Sequence, residues 1–271
     1  MKSMFFVGVD LAWSENNPTG IATVKYENGA GKVVSTKTVV TDEEIVEYVE
    51  EEVGTDYGII TVDAPLLVPN ETGRRIAEEL TGKLFRKYDA GAHPANRKRL
   101  SQWTGRVRGE DIVEELEDIG FEHDPYLDEE EKCRKVVEVY PHPSMVVLFE
   151  LDGILKYKNK PGRDYDFLWR EFHKYQKNLI ELEDSDPALQ IPKKISEKEL
   201  DGVKGKELKN YEDILDAIFS AYIGLYYWKK PENCAVLGNT DEGYIMTPLK
   251  KGMEEKLGKI MSQRSLDSFD G

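Results

Sequence analysis

The sequence predicts an α/β domain on a mixed five-stranded sheet, with three antiparallel strands followed by parallel crossovers, a helical insertion and a C-terminal hairpin. Three observations predict it. Apolar, β-branched runs separated by turn residues open the chain as a meander, and helix-length segments then intervene between the later strands. Single acids interrupt runs whose other residues demand burial. The 271 residues, 39% hydrophobic and 10% aromatic, fill one sizeable core, which excludes wholesale disorder despite 33% charged residues.

The elements follow in order. FFVGVDLAW (Phe5 to Trp13) is a buried strand whose only charge is Asp10. Asn16, Asn17, Pro18 and Gly20 form a turn into GIATVKYENG, and Asn28-Gly29 closes a hairpin to KVVSTKTVV. Thr41 with Glu44 is a capping box opening a helix that carries Ile45, Val49 and Val53 at helical spacing and ends at Gly54. YGIITVDAPL is a further buried strand. Residues Arg74 to Lys87 and Glu110 to Ile119 are helical, and KVVEVYPHPS is a third buried strand closed by two prolines. Tyr165 to Glu183 is a helix, Asp184 to Lys194 a loop, Asn210 to Trp228 a long helix, and CAVLGNTDEGYIMTPL a closing hairpin around Gly243. Residues 1–250 thus form a single domain with a basic helical insertion at about 70–130, and 251–271 are a polar, loosely held C-terminal tail.

Charge is divided unevenly. The net charge is -15, yet Gly73 to Gly109 carries ten Lys/Arg against three acids, about +7 against about -22 elsewhere. The acidic sum counts against coating nucleic acid, while the basic segment suits a polyanionic partner at one place. No apolar run is long enough for a membrane helix, and the N-terminus reaches Asp10 too early for a signal peptide. Cys133 and Cys234 lie far apart without Cys-x-x-Cys, so a reducing cytoplasm fits better than a disulfide scaffold or a cysteine zinc site. The four histidines have no zinc spacing, and no glycine-rich phosphate loop occurs.

Acids placed in apolar surroundings carry the chemistry. They are Asp10, Asp63 in IITVDAP, Glu138 in VVEVYP, and Asp213 and Asp216 in EDILDAIFSAYIGLYYW. Buried carboxylates need a partner, since desolvating an anion costs several kcal/mol. The i, i+3 spacing puts Asp213 and Asp216 on one side of their helix, and Asp10 and Asp63 stand near the C-terminal ends of strands, where α/β sheets build sites. An all-oxygen set suits Mg²⁺ or Mn²⁺, and two such ions about 4 Å apart can drive phosphodiester cleavage. Glu138 has an equal alternative, holding a basic side chain from the insertion. His142 between two prolines is a substrate contact or part of a rigid turn, and Tyr222, Tyr226, Tyr227 and Trp228 belong to the core.

The pieces GVDLAW, TVDAPL, EVYPHPS, KGKELKNYEDILDA and LGNTDEGYIMTP resemble the family catalogued as domain of unknown function 429, described as predicted nucleases of the RNase H fold. The resemblance runs from Phe5 to about Leu249. More distantly, an acid on the first strand, an acid on the fourth and Asp-x-x-Asp-Ala on the last helix resemble the RuvC-type resolvases, with Asp63 where that pattern usually has Glu. The resemblance implies an RNase H-like fold. It also implies a divalent-metal nuclease in which Asp10, Asp63, Asp213 and Asp216 hold two Mg²⁺ or Mn²⁺ ions and Glu138 assists. Arg97, Lys98, Arg99, Arg106, Arg108 and His142 would then contact the DNA or RNA substrate. The alternatives are a non-catalytic nucleic-acid-binding protein and an actin-like ATPase-type phosphotransferase.

Overall fold

The structure, a computed structural model, describes residues 3–14, 17–102 and 105–267. Asn16 of the expected first turn and residues 268–271 of the tail lie outside them. The meander is β1 (Met4–Asp10), β2 (Thr19–Glu27) and β3 (Ala30–Val39), paired antiparallel in sequence. Asn28 (φ 53°) and Gly29 (φ 85°) take the two left-handed positions that a tight hairpin needs. The capping box opens α1 (Asp42–Val53): Thr41 Oγ1 accepts from Glu44 N at 3.2 Å and Glu44 Oε2 accepts from Thr41 N at 3.2 Å. The chain then returns as β4 (Tyr57–Val62), parallel to β1.

The insertion holds α2 (Ile76–Phe85), the single turn α3 (Arg97–Leu100) and α4 (Arg108–Asp118). Next, β5 (Arg134–Glu138) pairs parallel to β4. The Tyr-Pro-His-Pro-Ser stretch does not end that strand as a rigid turn. Pro141 instead opens α5 (Pro141–Leu148), where its fixed φ and missing N–H suit a first helical position. Then come α6 (Tyr165–Glu181), β6 (Ala188–Gln190), the turn α7 (Lys193–Ser196) and α8 (Gly205–Lys229). The chain closes with β7 (Cys234–Asn239), β8 (Gly243–Pro248) and α9 (Met253–Asp267).

The main sheet runs β5-β4-β1-β2-β3-β6 and so has six strands where the sequence predicts five. The extra strand, β6, lies in the segment expected to be loop and pairs parallel to the outer edge of β3 over three residues. The expected C-terminal hairpin is present as β7-β8. The tail differs from expectation: 253–267 is helical, and Met253 is buried with Leu80, Leu84 and Leu237. Alternate residues of each strand face opposite sides of the sheet. Phe6, Ala22, Ile59 and Val137 pack with α6 and α8 on one side; Val7, Val9, Ile21, Ile60 and Val62 pack with α1 and α4 on the other. Among the described residues no helix is long and apolar enough to cross a membrane.

Candidate active site

Asp10 ends β1, opposite Gly20 of β2 in the antiparallel register. Asp63 directly follows β4, and its N–H donates to Val9 O at 2.9 Å, which holds it beside the end of β1. The third component is α8, which lies across these strands unusually closely because two glycines leave room for it. A Cβ on Gly8 would stand 2.0 Å from Ala217 O, and one on Gly20 would stand 2.1 Å from Asp213 O. The helix backbone therefore rests on the strand backbone, and Asp213 comes within hydrogen-bonding reach of the Asp10 carboxyl. Four of the five predicted acids, Asp10, Asp63, Asp213 and Asp216, meet in one electrostatic cluster. Asp10 and Asp63 are partly exposed and form its open side, whereas Asp213 and Asp216 are each 1% exposed.

Two lysines absent from the expected set complete the cluster. Lys209 Nζ lies 2.5 Å from Asp213 Oδ1 and 2.8 Å from Glu212 Oε1. Lys158 Nζ lies 3.0 Å from Asp216 Oδ2, while Asp216 Oδ1 accepts from Tyr157 Oη at 2.7 Å and Tyr175 Oη at 3.1 Å. Asp213 Oδ2 is buried and receives no donor. Burial raises the pKa of Asp10, and burial followed by the Asp10 charge raises Asp63 well above the ordinary carboxylate range. Burial and then Asp10 push Asp213 up to about 7. Burial alone would lower Lys158, but Asp216, Asp10 and Asp63 together hold its ammonium well above the usual lysine range.

Glu138 belongs to a separate assembly. Arg75 Nη2 donates to Glu138 Oε1 at 2.5 Å and Arg75 Nη1 to Glu138 Oε2 at 2.9 Å, while Leu66 N donates to Oε2 at 2.8 Å. The same guanidinium reaches Glu78 Oε1 at 2.6 Å, so a buried Glu-Arg-Glu unit ties the insertion to the end of β5. The alternative role for Glu138, holding a basic residue of the insertion, is the one the geometry displays. Both of its oxygens are engaged, so it is not free to assist the four aspartates.

The expected substrate contacts also divide. Arg108 is 5% exposed and binds Asp42 Oδ1 at 2.7 Å, Ala12 O at 2.8 Å and Val40 O at 3.0 Å, so it is an internal strut and cannot meet a phosphate. Arg97 forms a two-pronged pair with Glu110 at 2.7 and 3.0 Å, and Arg106 pairs with Asp42 and Asp111 at 3.3 and 3.2 Å. Lys98 and Arg99 are exposed, and the Arg99 guanidinium stands 5.8 Å from the ring of Trp13, three residues past Asp10. Burial, aided by the Lys158 charge, lowers the pKa of His142 to about 4. It is therefore neutral at pH 7 and offers no positive charge to a phosphate. Lys158, Lys209 and Arg75 gave no sequence signal beyond being basic residues in polar segments. The partners Tyr157 and Tyr175 sit at ordinary core spacings.

The donor set suits a hard divalent cation. Its oxygens are all carboxylate, and Asp213 Oδ2 is a buried acceptor lacking a donor beside Asp10. Among the described residues no three His, Cys, Asp or Glu side chains stand close enough to hold an ion unaided. Residues 8–242 match the family described as Protein of unknown function (DUF429). A search of curated proteins finds no match.

Proposed function

The chain belongs to the DUF429 family of proteins of unknown function, and from that premise we propose a divalent-metal-dependent nuclease that hydrolyses phosphodiester bonds of DNA or RNA on an RNase H-like scaffold. The order β5-β4-β1-β2-β3, an antiparallel meander flanked by two parallel strands with a long helix across one face, supports the scaffold reading. One observation carries the activity: Asp10 and Asp213 are brought together by backbone contact between β1-β2 and α8, and an acceptor is left over. Burying two acids together is unfavourable unless a proton or a cation is shared between them, and a divalent ion would take the place of that proton.

Asp10 and Asp213 would hold Mg²⁺ or Mn²⁺, with Asp63 on the open side next to them. When bound, such an ion polarises a phosphoryl oxygen and lowers the pKa of a coordinated water. Tyr157 and Tyr175 fix Asp216, and through it the Lys158 ammonium, without entering the reaction. The exposed pair Lys98 and Arg99 would draw the nucleic-acid backbone towards Asp10, a smaller basic surface than the segment's net charge suggests. Cys133 and Cys234, both free thiols, suit a cytoplasmic setting.

The test is cleavage of single-stranded and duplex DNA, branched DNA, RNA and RNA-DNA hybrid with Mn²⁺ or Mg²⁺. Cleavage of at least one substrate that disappears in Asp10→Asn and Asp213→Asn, with the fold intact by circular dichroism, is expected. Undiminished cleavage in both variants refutes the assignment.

A further inference from the structure

The two lysines in the cluster are held differently. Lys209 extends from α8 four residues before Asp213, pairs with Glu212 and Asp213, and has its side chain 53% exposed, so it has room to swing into solvent when another cation takes its place. Lys158 is braced. Its carbonyl and that of Lys156 accept from Arg163 Nη1 at 2.7 and 2.9 Å, and Lys156 N donates to Glu171 Oε2 at 2.7 Å. The adjoining Tyr157 is fully buried, 5.5 Å from the Phe172 ring and 4.8 Å from the Tyr175 ring between centroids. Withdrawing Lys158 as a whole would unseat Tyr157, and with it the hydroxyl that holds Asp216 Oδ1.

The consequence for Asp216 is specific. One of its oxygens takes two tyrosine hydroxyls; the other makes no hydrogen bond but is ion-paired with the Lys158 ammonium at 3.0 Å, which stands where a second ion would have to bind. Asp213 likewise has an Oδ2 without a donor, but its Oδ1 is held by the more exposed Lys209 and not by buried tyrosine hydroxyls. A two-ion centre needs both positions.

We infer that Lys158 is a built-in cation: its ammonium, at Asp216, occupies one of the two cation positions of the carboxylate cluster, so the site takes a single divalent ion, at Asp10 and Asp213. This rests on the metal reading above and changes its stoichiometry. Lys158 neutralises the charge of Asp216, and an ammonium does so without any geometric demand on its ligands. The arrangement supplies a positive charge on that side that is independent of metal supply.

Calorimetric titration of the full chain with Mn²⁺, alongside Mn²⁺ electron paramagnetic resonance, tests it. One equivalent per chain, with the six-line signal of an isolated ion, is expected for the wild type and for Lys158→Arg. Lys158→Met should take up a second equivalent, with loss of the isolated-ion signal as two ions couple. Two equivalents in the wild type, or one equivalent of unchanged affinity in a folded Lys158→Met, overturns the inference and leaves the metal reading standing. No binding by the wild type removes the metal reading itself and the inference with it. Should Lys158→Met not fold, the wild-type and Lys158→Arg stoichiometries decide.

Discussion

Arg75 lies with its guanidinium between two carboxylates, and all three groups are at most 3% exposed. Desolvating such charges is costly, and the arrangement is favourable only because each guanidinium nitrogen finds a partner, including Leu67 O at 2.8 Å. Removing the cation strands two anions together. Arg75→Met is therefore expected to lower stability by about 3–5 kcal/mol in urea unfolding. Adding Glu78→Gln and Glu138→Gln should recover part of that loss, because the stranded charge disappears with them. A triple variant no more stable than Arg75→Met would show that packing, not charge, sets the effect. Glu138 was recognisable in the sequence as an acid amid Val136, Val137 and Val139. Its partner was not, because Arg75 sits in a basic run where every residue looks equally solvated. The same blindness applies to Lys158 in ILKYKNK: a lysine inside a cluster and a lysine in water have identical local sequence.

At the scale of elements, the placement of α8 decides whether there is a site at all. Its backbone touches β1 at Gly8 and β2 at Gly20, and Thr61 Oγ1 of β4 donates to Ser220 O at 2.7 Å. A methyl group 2.0–2.1 Å from a carbonyl oxygen cannot be relieved by any rotamer, so the helix must lift. Gly8→Ala and Gly20→Ala are each expected to cost about 3 kcal/mol or more in stability. Gly20→Ala should also abolish Mn²⁺ binding in calorimetry by separating Asp213 from Asp10. Gly258→Ala is the control: it stands in α9 with nothing within 4 Å and should stabilise by up to about 1 kcal/mol. Equal melting temperatures for Gly20→Ala and the wild type would refute this account of α8. Much of this level was legible beforehand. The meander, the capping box, α6, α8 and the closing hairpin all announced themselves through periodicity and turn residues. The strand β6 did not, because three residues are too few to show alternation and its order comes from pairing with β3. The helix α9 carries a usable signal, Met253, Leu257 and Ile260 at helical spacing, which the polar composition around it masks.

For the whole molecule, the net charge of -15 is a poor guide to the local fields. The basic segment pairs Arg75, Arg97, Arg106 and Arg108 with acids and leaves Arg74, Lys83, Arg86, Lys87, Lys98 and Arg99 exposed. The candidate site, in contrast, holds acids that burial keeps protonated above their ordinary pH range. That gives a signed dependence on pH. Asp213, pushed up to about 7, retains its proton in the folded chain across a window in which the unfolded chain has already released it. The folded state then binds more protons, so this group's contribution is intact below pH 4 and is lost as pH rises towards 7. Asp10 and Asp63, raised by burial, act in the same direction. His142, lowered to about 4, acts oppositely, since the unfolded imidazole holds its proton up to its ordinary range. A comparison that cancels the histidine is therefore needed. Asp213→Asn keeps the shape and removes the titration, so its stability relative to wild type should increase from pH 4 to pH 8 by on the order of 3 kcal/mol in the absence of metal. Saturating Mn²⁺ competes with the proton for the same oxygens, so it should raise the wild-type melting temperature more at pH 8 than at pH 5 and leave Asp213→Asn unmoved. A wild-type chain whose Mn²⁺ stabilisation is independent of pH would place the ion away from these carboxylates, and the site would lose its claim to be one.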